Sequence, residues 1–340
     1  MTSSLPYTVG IVIPCFNEAG YIEQCVRSCF DQTYTAATIS VFVVDGMSTD
    51  GTRDKVLALK KEFPHLHLID NPKRVTPLAL NIGLRTSTDD VRIILGGHAF
   101  VDRDFVEANV RCLHEQPEAW CVGGVISNLY TNAKSAAIGN AMSSSFGVGN
   151  AHFRTGNKSG FVDTVAFGAY RKEVFDTIGF FNETLIRNQD DEFNFRIHKA
   201  GGKIYLDHRI KSNYYVRSGF QKLFNQYFQY GFWKIYVNVL HRQVTTVRQL
   251  IPFFFVTYLI GAALFSLAWP SLLALWLAPL ALYLALGLAL ALKGSGAQFL
   301  STWLSFGILH LSYGSGYLKG IVQLLLLRKM PSEHDAKGNR

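Results

Sequence analysis

The chain has 340 residues, of which 49% are hydrophobic and 17% are charged, and its formal net charge is +8. The apolar content excludes a disordered chain, and five cysteines in no regular spacing exclude a disulfide scaffold or a zinc ribbon. A charged fraction below the usual quarter indicates that some stretch is almost free of charge. We expect the cysteines to be reduced, buried thiols of a cytosolic domain.

Short apolar runs alternate with helical patterns through the first 215 residues, and this alternation predicts an α/β domain with a mostly parallel sheet. In such sheets, ligands bind beyond the carboxyl ends of the strands, so we expect the site in the segments that follow each strand. The predicted strands are residues 9–14, 40–45, 66–70, 91–95 and 120–125, and the predicted helices are residues 18–30, 51–63, 76–84 and 104–113.

Two polar segments follow the first two predicted strands. Asn17 comes after the first strand, and residues 45–52 (DGMSTDGT) end the second strand and follow it. Asp45 is placed to accept hydrogen bonds from a ribose or a base, whereas Asn17 and the turn at 48–52 are equally consistent with ordinary helix caps. No G-x-G-x-x-G sequence follows either strand, which disfavours a dinucleotide-binding oxidoreductase.

The segments IVIPCFNE at 11–18 and VVDGMSTDGT at 43–52 together resemble the opening of the family 2 glycosyltransferases, which are inverting enzymes of the GT-A fold. The subgroup that the chain resembles is the membrane-bound sugar transferases of exopolysaccharide assembly, such as the succinoglycan glucosyltransferases. The resemblance implies a Rossmann-like GT-A catalytic domain followed by C-terminal membrane helices. It continues in order through NPKRVTPLALNIG (71–83), GGHA (96–99), VDTVAFGAYRKEVFDTIGFFNE (162–183), NQDDEFNFRIHKAGGKI (188–204), YFQYGFWK (227–234) and HLSYGSGYLKG (310–320).

The resemblance implies that the chain binds a nucleotide-sugar donor, and we expect a UDP-sugar. The basic pair Lys73 and Arg74 is suited to the diphosphate, although an exposed basic pair is as often simply solvated. The implied nucleotide-binding residues lie in the segments after the first three strands and are Pro14, Asn17, Glu18, Asp45, Ser48, Asp50, Lys73 and Arg74.

Inverting sugar transfer requires a base that takes the proton of the acceptor hydroxyl, and a positioned base typically accelerates a reaction about 10²–10⁴-fold. Residues 189–192 (QDDE) place three carboxylates at a helix start, and neighbouring carboxylates can raise one another's pKa. The family pattern is Glu-Asp, whose Asp corresponds to Asp190, while Gln189 stands where Glu is usual. The resemblance implies Asp190 as the base and Asp191 as a substrate-binding neighbour. The alternative is that these acids only complement the helix dipole.

Family members usually bind Mg²⁺ or Mn²⁺ through a D-x-D or D-x-H motif, and this chain has Gly96-Gly97-His98 at that place. The first Asp is therefore absent. The implied divalent-cation site is His98, with Asp102 four residues later, and an imidazole ligand favours Mn²⁺ over Mg²⁺. A structural histidine held by hydrogen bonds is the alternative.

Residues 220–236 contain eight aromatic side chains among 17 positions, which predicts an amphipathic helix at a membrane interface. Polymerising relatives carry Q-x-x-R-W in this region, and their Trp contacts the acceptor sugar. The resemblance implies acceptor contacts for Gln226 and Trp233, but the R-W pair is absent and we expect no spanning helix before the catalytic domain. We therefore expect transfer of a single sugar rather than polymerisation.

The uncharged stretch lies at residues 249–292, which contain no Asp, Glu, Lys, Arg or His over 44 positions. It divides at Trp269-Pro270 into two lengths of about 20 residues, enough for two membrane-spanning helices; a buried soluble helix pair is the alternative. A third apolar stretch, 297–327, either crosses the membrane or lies embedded in it. We expect the second, because crossing would place the basic C-terminal end outside.

The charge beside the membrane segments predicts the orientation of the chain. Residues 199–248 hold nine Lys or Arg against one acid, and the first residues do not read as a signal peptide. We expect a catalytic domain on the cytoplasmic side of the inner membrane, beside anionic lipids. Nucleic acid is disfavoured as a partner because the basic stretch runs directly into the membrane segments. The expected organisation is a catalytic domain (1–215), amphipathic interfacial helices (216–248), membrane helices (249–327) and a polar tail (328–340).

The expected function is transfer of a single sugar, with inversion, from a nucleotide-sugar to a polyprenyl-diphosphate-linked saccharide in exopolysaccharide or cell-surface glycan assembly. Two alternatives stay open, a processive polysaccharide synthase and a non-catalytic membrane scaffold of the same fold. Gly96 and Gln189 are the departures from the family pattern that keep the scaffold open. Product length separates the first two functions, and donor hydrolysis separates both from the third.

Overall fold

The chain forms two compact units in the computed structural model. The first unit comprises residues 1–128 and 151–215, and the second comprises residues 129–150 and 216–340. A division after residue 215 is also where the sequence places the end of the catalytic domain, whereas nothing in the sequence indicates that residues 129–150 belong to the second unit.

The structure describes residues 7–35, 38–149, 151–156, 158–216, 219–244 and 247–331. Residues 332–340 of the expected polar tail lie outside the described residues, as do residues 217–218 and 245–246 of the expected interfacial segment.

A single β-sheet forms the centre of the first unit. Its strands are β1 (Val9–Cys15), β2 (Ile39–Asp45), β3 (Leu66–Asp70), β4 (Val91–Ile94), β5 (Ala99–Val101), β6 (Ala119–Leu129), β7 (Gly160–Val162), β8 (Ala166–Arg171) and β9 (Lys203–Tyr215). The strand order is β3-β2-β1-β4-β8-β6-β9-β5, with β7 paired to β9. Strands β1 to β4 are mutually parallel, and β8 pairs antiparallel with β4 and β6. The prediction of an α/β fold on a mostly parallel, Rossmann-like sheet is confirmed, and the antiparallel strands extend that sheet on one side.

Strand β1 shows why these residues form a central strand. Ile11 and Ile13 pack in the core on one face of the sheet, and Val12 packs with Val44 in the core on the other face. A strand covered on both faces needs apolar residues at nearly every position, and this is the pattern that predicted it.

Helices follow the strands as predicted, and α1 begins at Ile22 because a loop occupies residues 16–21. All five cysteines are free and buried, as expected, and burial raises the pKa of the Cys121 thiol. The helices of the first unit are α1 (Ile22–Phe30), α2 (Thr52–Leu59), α3 (Thr76–Thr86), α4 (Phe105–Glu115), α7 (His152–Thr155), α8 (Lys172–Ile178) and α9 (Gln189–Lys199), where α5 and α6 belong to the second unit.

The second unit is mainly helical in the residues that the structure describes. Its helices are α5 (Ala133–Met142), α6 (Ser145–Val148), α10 (Phe220–His241), α11 (Ile251–Ala268), α12 (Leu273–Ser295) and α13 (Phe299–Gly320). Helix α13 packs against several of the others and allows close approach through its glycines: a Cβ added to Gly316 would lie 1.9 Å from the carbonyl oxygen of Phe228 on α10. Small residues at such contacts are typical of helix packing in membranes.

Two stretches of the described chain are long and apolar enough to cross a membrane, Ile251–Ala268 and Pro270–Leu326, the second of which contains α12 and α13. Their most apolar windows have mean hydropathies of 2.0 and 2.2. Leu267 on α11 is 81% exposed and Leu282 on α12 is 70% exposed. These helices therefore present apolar side chains outward, which is unfavourable in water and favourable in lipid.

Helix α10 differs from the expected amphipathic helix in its second half. Residues 231–237 are buried without interruption, because Gly231 brings the backbone of α10 close to that of Tyr313 on α13. The interfacial role stays a prediction for residues 220–230, most of which are partly exposed.

Candidate functional site

Four loops follow the carboxyl ends of the parallel strands and lie along one edge of the sheet. We define the first loop as residues 16–21 after β1, the second as 46–51 after β2, the third as 71–75 after β3, and the fourth as 95–98 after β4. Ligands of open parallel sheets bind at this edge, and it holds most of the residues that the sequence singled out.

The first and second loops are joined by hydrogen bonds between residues about 30 positions apart in the chain. The backbone N–H of Asn17 donates to Ser48 Oγ (2.8 Å), and the N–H of Thr49 donates to Asn17 Oδ1 (3.0 Å). The N–H of Ala19 donates to Asp50 Oδ2 (3.0 Å). Asn17, Ser48 and Asp50 thus lie together, and Asn17 bridges two loops instead of capping α1, which begins at Ile22 without a side-chain cap.

Asp45 is fully buried at the end of β2 and anchors the second loop. It accepts hydrogen bonds from Ser48 N–H (2.9 Å), Ser48 Oγ (2.5 Å) and Arg53 Nη1 (2.8 Å), and Arg53 also pairs with Asp70 (2.8 Å). Burial acts to raise the pKa of Asp45, but the bonds from Ser48 and Arg53 outweigh it and hold the pKa below its ordinary value. The carboxylate is therefore charged at neutral pH, and both of its oxygens are engaged within the protein. Sequence reasoning missed Arg53, whose one signal is its place in the first turn of α2.

The third loop contacts the first. The guanidinium carbon of Arg74 lies 5.2 Å from the ring centre of Phe16, and Arg74 has a left-handed backbone with φ +57°. Arg74 and its neighbour Lys73 are exposed. Pro14 lies in β1 beyond the last residue paired with β4, where its missing N–H breaks no ladder bond on that side.

The fourth loop brings His98 to Glu18 of the first loop. His98 Nδ1 lies 3.0 Å from Glu18 Oε1, and both side chains are largely buried. At Gly97 an added Cβ would lie 3.2 Å from Cys15 Cβ and 3.3 Å from Glu18 Cγ, so a side chain there would press on both neighbours. At Gly96 the nearest atom to an added Cβ, on Phe167, is 3.5 Å away, so packing does not exclude a side chain where the family has its first Asp.

The structure does not bring Asp102 to His98. Strand β5 separates the two residues, and four residues of extended chain span about 13 Å. Asp102 Oδ1 instead accepts a hydrogen bond from Asn213 Nδ2 (2.9 Å). Glu18 is the acid beside His98, and the described residues contain no group of three or more His, Cys, Asp or Glu arranged to hold a metal ion.

The three carboxylates at the start of α9 have different environments. Glu192 is buried and paired with Arg196 (2.8 and 3.0 Å), which also donates to the carbonyl oxygen of Phe180. Asp190 is exposed and Asp191 is partly buried, both in the first turn of the helix. Burial raises the pKa of Tyr170 on β8, and the charge of Asp190 adds to this effect. Of the three acids, Glu192 is buried in an ion pair and Asp190 is the most exposed.

Trp233 is not placed to contact a sugar. Its side chain is 2% exposed within the second unit, and its one N–H donates to Gln229 Oε1 (3.0 Å). Gln226, which is partly exposed, donates to the hydroxyl of Tyr230 (2.9 Å) on the same helix. The expectation for Trp233 was wrong because α10 is aromatic on every side, so its sequence does not indicate which face is buried.

A parallel α/β sheet with charged loops joined at its carboxyl edge defines a Rossmann-like domain of the GT-A class. A mannosyltransferase from Pyrobaculum calidifontis, solved in complex with GDP-Man and Mn²⁺, shares this fold with a TM-score of 0.65 and 19% identity over 94% of this chain and 88% of its own. The family model described as glycosyl transferase family 2 matches residues 10–179. The chain belongs to glycosyltransferase family 2, and it is a glycosyltransferase.

Three characterised relatives are similar over most of their length. Dolichyl N-acetyl-alpha-D-glucosaminyl phosphate 3-beta-D-2,3-diacetamido-2,3-dideoxy-beta-D-glucuronosyltransferase of Methanococcus voltae is 34% identical over 66% of this chain and 71% of its own. The succinoglycan biosynthesis protein ExoA of Rhizobium meliloti is 28% identical over 94% of this chain and 96% of its own. The glycosyltransferase AglE of Haloferax volcanii is 28% identical over 71% of this chain and 77% of its own.

Proposed function

We propose that this chain is a membrane-bound, inverting glycosyltransferase that transfers one sugar from a nucleotide-sugar to a lipid-linked saccharide. The observation that carries the proposal is the joined pair of loops beside His98 and Glu18 at the carboxyl edge of the sheet, in a chain of family 2. The exposed carboxylate of Asp190 at a helix start supplies the second requirement, a base for the acceptor hydroxyl.

Each group at the site has a distinct task in this proposal. Asp190 takes the proton of the attacking hydroxyl, and Asp191 positions the acceptor. Asp45 holds the second loop in the form that receives the nucleotide, while Lys73 and Arg74 face the diphosphate. The remaining nucleotide-site residues, Pro14, Asn17, Glu18, Ser48 and Asp50, shape the first two loops.

The residues at this site would supply only some of the ligands that a divalent cation needs. His98 supplies an imidazole and Glu18 a carboxylate, and this pair is too few to bind the ion alone, so diphosphate oxygens would complete its coordination. A bound cation would neutralise the charge of the departing nucleoside diphosphate. We expect activity to need a divalent ion and to prefer Mn²⁺ over Mg²⁺, with the preference lost in His98→Ala. Full activity in excess EDTA would show that protein cations alone stabilise the leaving group.

Relatives support the class of donor and acceptor. The name of the Methanococcus voltae relative contains a dolichyl-phosphate-linked sugar as its acceptor, and that of the Rhizobium meliloti relative places it in succinoglycan synthesis. The Pyrobaculum calidifontis enzyme was solved with a GDP-sugar, so both UDP- and GDP-sugars belong in any test, although we propose a UDP-sugar. We propose a polyprenyl-diphosphate-linked saccharide as the acceptor.

The membrane topology that we propose has α11 and α12 as full spans and α13 as an embedded helix, with the catalytic unit on the cytoplasmic side of the inner membrane. Support comes from burial, because α11 and α12 expose apolar side chains whereas about half of α13 is buried. A cysteine added after Arg340 would be probed with an impermeant maleimide, with little background because the native cysteines are buried. Labelling in intact cells would overturn this topology and support three spans.

The experiment that tests the function is a panel of UDP- and GDP-sugars offered to the purified chain with membranes that contain lipid-linked acceptors. We expect one donor to yield an acceptor longer by a single sugar of inverted configuration. Long products would favour a processive synthase. Absence of both transfer and donor hydrolysis over the whole panel would favour a non-catalytic scaffold.

A further inference from the structure

Arg154 carries a buried nitrogen without a partner. It lies on α7 in the first unit, and its Nη1 atom is inaccessible to solvent and has no hydrogen-bond partner in the part of the chain that the structure describes. Buried polar groups are nearly always hydrogen-bonded, and a guanidinium left unpaired costs more than a neutral group. The Nη1 atom of Arg154 is therefore placed to donate a hydrogen bond to an acceptor that these residues do not supply.

The surroundings of Arg154 place it at the edge of the sheet that bears His98. Its guanidinium carbon lies 5.4 Å from the ring centre of Phe153 and 5.8 Å from that of Tyr214. The Tyr214 ring also contacts the His98 ring edge-on, with the ring centres 5.0 Å apart. Tyr214 is paired with Ala99 in the sheet, so its position relative to His98 is fixed by backbone register. One aromatic ring thus separates Arg154 from the candidate cation site.

The chemistry of the missing acceptor follows from the donor. The guanidinium carbon of Arg154 lies near two aromatic rings. The N–H groups of a guanidinium match the geometry of two kinds of oxyanion, carboxylate and phosphate. The fourth loop has Gly96 at the position where family members usually have the first Asp of their motif. That position therefore carries no negative charge in this chain.

We propose that Arg154 binds a phosphate group of a substrate at the His98 edge of the sheet. The inference rests on the proposed function, which brings two phosphate-bearing substrates to the site. One source is the diphosphate of the nucleotide donor, and the other is the phosphate of the lipid-linked acceptor. The chemistry is the same for both, and the experiment separates them.

The test compares Arg154→Gln and Arg154→Lys with Arg85→Gln in the full-length chain. Arg85 is a matched control, because its guanidinium carbon also lies over a ring, 4.8 Å from the centre of Phe180, but it sits on the exposed surface of α3. Calorimetry measures binding of UDP, UMP and uridine, or the guanosine series if wild type prefers it. Kinetics measure KM and kcat for the lipid-linked acceptor, and melting temperature reports folding.

If the donor diphosphate is the ligand, Arg154→Gln weakens UDP binding roughly tenfold and leaves uridine binding unchanged. If the acceptor phosphate is the ligand, UDP binding stays at the wild-type value and KM for the acceptor rises roughly tenfold. Arg154→Lys keeps the positive charge but lacks the planar guanidinium. We therefore expect a smaller change in affinity or KM for Arg154→Lys than for Arg154→Gln. We expect Arg85→Gln to match wild type in every measurement.

A folded Arg154→Gln protein with wild-type nucleotide affinity and wild-type acceptor KM overturns the inference and leaves the proposed function standing. If Arg154→Gln does not fold, wild-type values for Arg154→Lys overturn it instead, because a lysine does not reproduce the planar geometry of the guanidinium. A wild-type chain that binds no nucleotide and transfers no sugar overturns the proposed function and the inference together.

Discussion

Buried and exposed side chains are distributed in opposite ways in the two units. In the first unit, Ile11 and Ile13 of β1 are fully buried, and polar residues collect in the loops. In the second unit, Leu267 and Leu282 are mostly exposed, while Ser305 on α13 is fully buried. Water drives apolar side chains inward, whereas in hydrocarbon the association of helices depends on close packing and hydrogen bonds. The first unit therefore has the side-chain distribution of a domain in water, and the second unit has that of helices in lipid.

The first variant tests whether the chemistry belongs to the first unit. Asp190→Asn keeps the size of the side chain but cannot take a proton, so we expect at least about a hundredfold loss of transfer with nucleotide binding nearly unchanged. Asp104→Asn is the matched control, because Asp104 is an exposed acid at the start of α4. Sugar transfer is measured on the acceptor panel. Wild-type turnover by Asp190→Asn would remove Asp190 from its role.

The next effect would test whether close packing organises the second unit. Gly316→Leu places a side chain against the carbonyl oxygen of Phe228, and overpacking of this kind costs about 1–3 kcal/mol or more. The control is Gly307→Leu on the same helix, where an added Cβ meets nothing within 4 Å. We expect thermal unfolding in detergent to shift down for Gly316→Leu alone. Equal melting temperatures for the two variants would show that α13 does not depend on this contact.

A smaller effect concerns the loop that Asp45 anchors. Asp45→Ala removes the acceptor for Ser48 and one partner of Arg53, so we expect roughly tenfold weaker UDP binding by calorimetry. Asp70→Ala removes the other, exposed partner of Arg53 and should leave the affinity close to the wild-type value. Unchanged affinity in a folded Asp45→Ala protein would move the nucleotide site away from the second loop.

The smallest effect is the pH dependence that the same carboxylate produces. The folded state lowers the pKa of Asp45, so its stabilisation is complete above the unfolded pKa of about 3.9 and is lost as pH falls through the lower folded pKa. We expect the melting temperatures of wild type and Asp45→Asn to differ by a constant amount between about pH 5 and pH 7. The difference should shrink below about pH 4. A difference that grows on acidification would contradict the assigned charge.

Sequence patterns predicted the parallel half of the sheet because both faces of those strands are covered, which leaves uninterrupted apolar runs. Strand β9 escaped prediction because it carries Lys203, Arg209 and Lys211 and reads as a polar segment. The assignment of residues 129–150 to the second unit escaped prediction for another reason. Helix α5 of this segment packs on α13, more than 150 positions away, and no local pattern encodes that contact.

The sequence predicted individual residues of the site but not the contacts between them. Their positions after the strands identified Asn17, Asp45 and His98, yet the sequence left Asn17 and His98 open between a structural and a functional role. The bond between His98 and Glu18 joins residues 80 positions apart, and neither its existence nor the separation of Asp102 follows from the sequence. Which of these residues contact one another depends on their distances in the folded chain. Those distances follow from the strand order and from the direction of each side chain.

The hydrogen bonds between the first and second loops have a consequence for how donor preference can change. Because Asn17 holds Ser48 and Thr49, and Asp50 holds Ala19, a substitution in either loop alters the backbone of the other. The two segments therefore form one structural unit, although 24 residues of sequence separate Glu18 from Val43. Exchange of donor specificity between relatives should succeed when both segments are transplanted together and fail when one is moved alone.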